Sequence, residues 1–456
     1  MRTAGGRLAL VAVMLVGGSA LAASGVAEST DPELAHATHN VSGNVAVPFP
    51  LADGIRRVGG DNTSTGGHVV IQGKRLYVGA YGLGLRIFDI SDRDDPKLIG
   101  KYMPGPRADA VPDAAVFGSR HIATLNGTRR VTATELRTDK TEFLDVTNPA
   151  NPKVLWTFVG PADGEAHNGD IVDARRLWLA SGGIGVNGLR IYDLNPLLGA
   201  TPAAPATLFR GNPVDLWTNS PHRAGRPVGA PFTHTHDIEV YVDYPVKQAD
   251  GSYRPADIAL LAEGGNYTDN NGNTGSVFVI DITNPQQPVV LNRWLHERGA
   301  GHHPIRYHHE VQFLDGDRTV MLVTDEDLHN GCGGAGGVTS LRVSEDLTQV
   351  TAELSEWFIP AGTPAPVCSV HVFSSEGSLV FFGSYNAGLQ VVDFSDPASP
   401  DLAAYYIAPG TTAWGALVKD PYVYVGDMAR GLDVYKLDDP ELLLKLKLKV
   451  RPLTGK

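Results

Sequence analysis

The chain has 456 residues, 42% hydrophobic and 19% charged, which excludes a disordered polymer and leaves ample material for a large core. With 52 Gly and 31 Pro, glycine at about 11% and proline at about 7% exceed the usual levels of about 7% and 5%, so many turns and short strands are expected rather than long helices. The 38 Lys+Arg against 50 Asp+Glu give a net charge of −12, which repels phosphate backbones and argues against general nucleic-acid binding.

Residues 1–22 read as an export signal: Arg2 and Arg7 form the charged end, LALVAVMLV (8–16) the apolar run, and Ala20-Leu21-Ala22 the small-residue cleavage site. Its removal leaves −14. No later segment is long and apolar enough to span a bilayer, and no cysteine follows the cleavage site to carry a lipid. A secreted or periplasmic protein without a membrane span is therefore expected. In such an oxidising compartment the two cysteines, Cys332 and Cys368, are most simply one disulfide. Residues 23–60 match no repeat and read as a leader or a strap along the domain that follows.

A repeat recurs from about residue 61 to 440: an alternating apolar strand ending in Asp, then a Pro-containing turn. The copies are GLRIFDISDRDDP (84–96), TEFLDVTNPANP (141–152), GLRIYDLNP (188–196), GSVFVIDITNPQQP (275–288), the degenerate SLRVSEDLTQV (340–350), GLQVVDFSDPASP (388–400) and GLDVYKLDDP (431–440). Two short strands precede each copy, as in HVVIQGKRLYVGA (68–80), and a fourth usually follows. Seven such units predict an all-β fold, a seven-bladed β-propeller of four-stranded antiparallel blades. The terminal segment 441–456 contains LLLKLKLKV (442–450), whose alternation predicts a half-buried strand. Either this strand or one from about residues 44–60 is expected to complete blade seven.

The motif GL-x-I-x-D-I-S-D/N-P-x-x-P resembles the LVIVD repeat, a family of secreted bacterial and archaeal propellers, over roughly residues 65–440. The resemblance implies a blade per repeat and, because propellers support many activities, little about chemistry. The departures are the motif-poor fifth blade and the insertions in the third and fourth.

In a four-stranded blade the start of the innermost strand and the loop between the second and third strands share one face. The first position reads His68, Asp113, His167, His236, His309, His371 and Trp414 through the seven blades, so these residues should line the channel mouth. Acids and further imidazoles flank them: Asp170, His234 and Asp237, His308 and Glu310. Such a ring suits a bound Zn, Cu or Fe ion, with His236, His309 and His371 as core ligands and His234, His308 and Glu310 as helpers. His68 and His167, across the ring, are expected to lie too far away. A plain alternative is that each histidine bonds the backbone of the neighbouring blade.

The loops on the same face offer Tyr81, Glu263, the acids Asp325, Glu326 and Asp327, Tyr385 with Asn386, and Asp427 with Arg430 as ligand-binding candidates. DNNGN (269–273) lacks the acid a calcium loop requires and reads as an Asn/Gly turn. The insertion 197–233, with Trp217, His222 and Arg223, is placed as a lid over the mouth, and Arg298, His302, His303, Arg306 and Tyr307 precede blade five in the same way. No phosphate loop, nucleophile elbow or His-Glu-x-x-His helix is present. The strand-ending Asp89, Asp145, Asp193, Asp281 and Asp393 read as turn formers. The expected function is a scaffold for a protein or glycan partner at the His-rich face. The alternatives are a metal-dependent oxidase or hydrolase, and a polysaccharide lyase using channel His and Tyr.

Overall fold

The computed structural model describes residues 50–447 except 81, 104–110, 127, 130–137, 160–165, 182–187, 228–233, 265–274, 297–306, 329–331 and 335. The signal segment, most of the 23–60 extension, Tyr81, the DNNGN loop and the run from Arg298 to Arg306 lie outside the described residues.

Seven antiparallel sheets form the seven-bladed propeller that the repeats predict. Blade one is Val69–Gln72, Arg75–Ala80, Gly84–Asp89 and Lys97–Tyr102, and the degenerate fifth blade is equally complete, with Val338–Val343 as its third strand. Strand alternation explains the packing, because successive side chains of an inner strand point to opposite faces. In blade one, Leu76 and Val78 face the cluster shared with blade seven, whereas Tyr77 joins the cluster shared with blade two. The principal apolar clusters all sit between neighbouring blades, so every blade is buried on both sides. A blade cannot bury its faces alone and depends on the ring.

The repeat aspartates act as expected. Asp89, Asp145, Asp193, Asp281 and Asp393 each accept from the backbone N–H two residues on, at 2.7–2.9 Å, and fix the turn into the fourth strand.

Ring closure comes from the N-terminal side. Ile55–Asp61 pairs with Gly431–Leu437 as the outer strand of blade seven, and Leu51–Asp53 adds a fifth strand to blade six along Asp401–Ile407. The blade contribution of this segment thus begins before residue 61. The strand expected at 442–450 does not form in its described part: Pro440–Lys445 is a helix. Asp439 caps it by accepting from Glu441 and Leu442 N–H, and proline occupies its first turn, both strong helix-start signals. With the blade-seven edge already filled, no ladder remains for a strand. Leu442 and Leu446 instead plug the cluster between blades six and seven.

The seam is tight where blade seven meets blade one. A Cβ on Gly426 would fall on the carbonyl oxygen of Gly67, so only glycine allows the two backbones this approach. The insertion after blade three does not form the expected lid as far as residue 227. Its helix Pro213–Thr218 buries Trp217 between blades three and four, and Ser220 and Arg226 bond to Val290 and Asn292 on the outer strand of blade four.

Candidate functional site

The head-of-strand histidines meet at one end of the channel. Ring centroids run 4.3 Å from His167 to His236, 3.9 Å from His236 to His309, 3.9 Å from His309 to His371 and 4.6 Å from His371 to Trp414. His167, expected to lie too far from the site, is therefore in direct contact with it. Propeller inner strands converge on the axis, and that shortens distances that look long around the circumference.

Backbone bonds orient these rings. His236 Nδ1 lies 2.9 Å from the His309 carbonyl, His371 Nδ1 2.9 Å from the Trp414 carbonyl, and His68 Nδ1 3.4 Å from that of Pro112. A carbonyl only accepts, so each Nδ1 carries the proton and each Nε2 presents its lone pair. This is the backbone role weighed above for such histidines, and it leaves the second nitrogen for other chemistry.

The carboxylate that meets these nitrogens is Glu326. Its side chain is fully buried, with Oε1 3.6 Å from His371 Nε2 and Oε2 4.0 Å from His309 Nε2, and it accepts a short hydrogen bond from the Tyr385 hydroxyl. His236, His309 and Glu326 each offer a ligand atom within 4.8 Å of the others. Imidazole and carboxylate are the donor set of zinc and copper sites, and a histidine that donates its other N–H to a backbone carbonyl is the usual support for such a ligand.

Below this plug the channel opens into a cavity of about 310 Å³, lined by His68, Asp113, Asp170, Asp237, Glu239, Glu310 and Gln312 among others. Burial pushes the carboxyl groups up: Asp113 to about 6, Asp237 to about 7, Glu239 to about 8, and Asp170 and Glu310 well above the usual range. Burial lowers His68 to about 4. Several of these acids join blades. Asp113 accepts from Ile171 N–H, Asp170 from Val240 N–H and Glu310 from Phe373 N–H, each satisfying an edge donor of the next inner strand.

The remaining sequence candidates separate. His308 alternates away from His309 and stacks beside Trp294, with ring centroids 5.2 Å apart. His234 begins its strand, but its side chain lies outside the described residues. Glu310 is engaged by Phe373 and Gln312. Glu263 forms a buried ion pair with Arg293 at 3.0 Å, and Arg430 pairs with Asp433 at 2.8 Å. Asp325 accepts from Tyr307 N–H, while Asp427 accepts from Thr411 and Thr412 and is raised to about 6 by burial. These four organise loops. Tyr385 reaches the histidines, at 5.0 Å from the His371 ring, and Tyr307, which precedes blade five, packs edge-on at 5.5 Å from the His236 ring.

Cys332 and Cys368 form the expected disulfide, joining the loop after Glu326 to the segment before His371. It ties the two halves of the site across blades five and six.

The LVIVD repeat family matches residues 66–104 and 375–407, within blade one and blade six. No curated protein matches the chain. Among solved structures, the computationally designed Ika8 protein is 12% identical, covering 83% of this chain and 98% of that one with a TM-score of 0.46. The WD40 repeats of RRP9 are 10% identical, covering 84% and 97% with a TM-score of 0.48.

Proposed function

We propose that this chain, an LVIVD-repeat protein, is an exported scaffold that holds one divalent zinc- or copper-class ion at the channel mouth on Nε2 of His236, His309 and His371 and the carboxylate of Glu326. The LVIVD repeats and the propeller fit a repeat scaffold. The observation that carries the metal reading is the convergence of His236, His309 and Glu326, with the tautomers of His236 and His371 fixed by backbone carbonyls.

Burial argues for a structural or electron-storing ion rather than a hydrolytic one. His236, His309, His371 and Glu326 are each at most 1% exposed, whereas a catalytic zinc keeps an open position for water and substrate. A partner, protein or glycan, would meet the loops around the mouth. The disulfide supports export to an oxidising compartment. The lyase alternative, which relies on channel His and Tyr, loses support because His236, His309, His371 and Tyr385 are each at most 1% exposed and out of reach of a polymer.

Element analysis of the folded, tag-free protein tests the reading. About one equivalent of zinc or copper is expected, falling to none at the mouth in Glu326→Gln. Equal metal in both, with unchanged circular dichroism, would overturn it.

A further inference from the structure

We infer that the rim between blades four and five carries a second, exchangeable divalent-metal site of the zinc class, formed by His296, Glu353 and Glu356. These three residues each offer a ligand atom within 4.8 Å of the others, and His296 Nε2 lies 3.8 Å from Glu356 Oε1.

The local backbone explains why two glutamates three apart reach the same ion. On a regular strand, residues i and i+3 point to opposite faces. Here the outer strand of blade five, Val350–Trp357, carries a bulge: Ser355 pairs with Ser340 and Glu353 with Leu341, which leaves Leu354 as the extra residue. The bulge restores Glu353 and Glu356 to one side, a common device for re-aiming side chains at a site. His296 comes from the other blade, directly after the outer strand Val289–Leu295 of blade four. Trp294 packs against it edge-on, with centroids 5.2 Å apart, and holds the ring against rotation.

The chemistry differs from the mouth. One imidazole and two carboxylates suit Zn²⁺ better than Ca²⁺ or Mg²⁺, which prefer all-oxygen shells. Zinc bonds of about 2.0–2.2 Å place tetrahedral donors roughly 3.3–3.5 Å apart, so the present spacing needs only a small closing movement. Glu353 is exposed at the surface, where solvent can supply a fourth ligand. Because the donors come from both blades, the ion would clip blade four to blade five.

This site stands independently of the mouth, and its test separates the two. Chelator-stripped, tag-free protein is titrated with Zn²⁺ by calorimetry, with Ca²⁺ and Mg²⁺ as comparisons. Wild type is expected to bind one equivalent more than Glu353→Gln, or the same equivalent at least about tenfold more tightly. His296→Gln should remove that equivalent while leaving any mouth ion in place, and Ca²⁺ should not substitute. The exposed Glu353 makes its variant safe for folding. Identical Zn²⁺ stoichiometry and affinity in wild type, Glu353→Gln and His296→Gln, at matching circular dichroism, would overturn the assignment.

Discussion

His371 works at both ends, Nδ1 bonding the Trp414 carbonyl of the next blade and Nε2 facing Glu326. His371→Ala therefore removes a proposed metal ligand and one of the two donors to the Trp414 carbonyl, which keeps Val372 N–H, at a cost of about 0.5–1.5 kcal/mol for the lost hydrogen bond. Urea denaturation of metal-free protein should show that loss, whereas His371→Asn, which can still donate to the carbonyl, should recover part of it without restoring metal binding. The histidines were legible because they recur at one position of a repeat. Glu326 was legible only as one of three acids, Asp325-Glu326-Asp327, at a strand end where alternation no longer says which faces inward. Period-two alternation does separate His308 from His309, and grouping both at one ion overlooked it.

At the scale of elements, loops and added strands hold the site in register. The disulfide closes a separation of 36 residues between the Glu326 loop and the His371 segment, for which chain-entropy reasoning gives about 3–4 kcal/mol. A Cys332→Ser/Cys368→Ser double variant should unfold at lower temperature in calorimetry and hold the mouth ion more weakly, because Glu326 and His371 lose their covalent brace. Removing the sequence up to Asp61 should be more damaging, since it takes the outer strand of blade seven and exposes the edge of Gly431–Leu437. Loss of cooperative melting is expected, and an unchanged melt would refute this closure. The blades were readable from the recurrent Asp-ended strands. The C-terminal helix was misread because its alternating Leu and Lys fit a strand, although both are good helix formers and Asp439-Pro440 marks a helix start.

Across the whole molecule, the channel concentrates uncompensated carboxyl groups, and this gives stability a definite pH dependence. Glu239, raised to about 8, and Asp113, raised to about 6, bind protons in the folded state that the unfolded chain has already released. Stability from these groups is therefore greatest at low pH and declines as pH rises from their unfolded values near 4 toward 8. His68, lowered to about 4, acts oppositely between 4 and 6.5, where the unfolded chain binds the extra proton. Melting temperature should thus fall between pH 6.5 and 8, a window His68 does not affect, and Glu239→Gln should flatten that fall. A melting temperature that rises over this interval would contradict the cavity's assignment as a store of neutral acids.

The most direct test of the mouth site is the metal content of the tag-free, disulfide-intact protein measured beside a His236→Ala/His309→Ala double variant, both checked for folded circular dichroism. The proposed mouth site predicts about one equivalent of zinc or copper in the wild type that the double variant lacks, beyond any ion at the blade four–five rim. Equal metal in two folded proteins, or none in either after reconstitution with Zn²⁺ and Cu²⁺, would contradict it and leave the imidazoles as backbone ties alone.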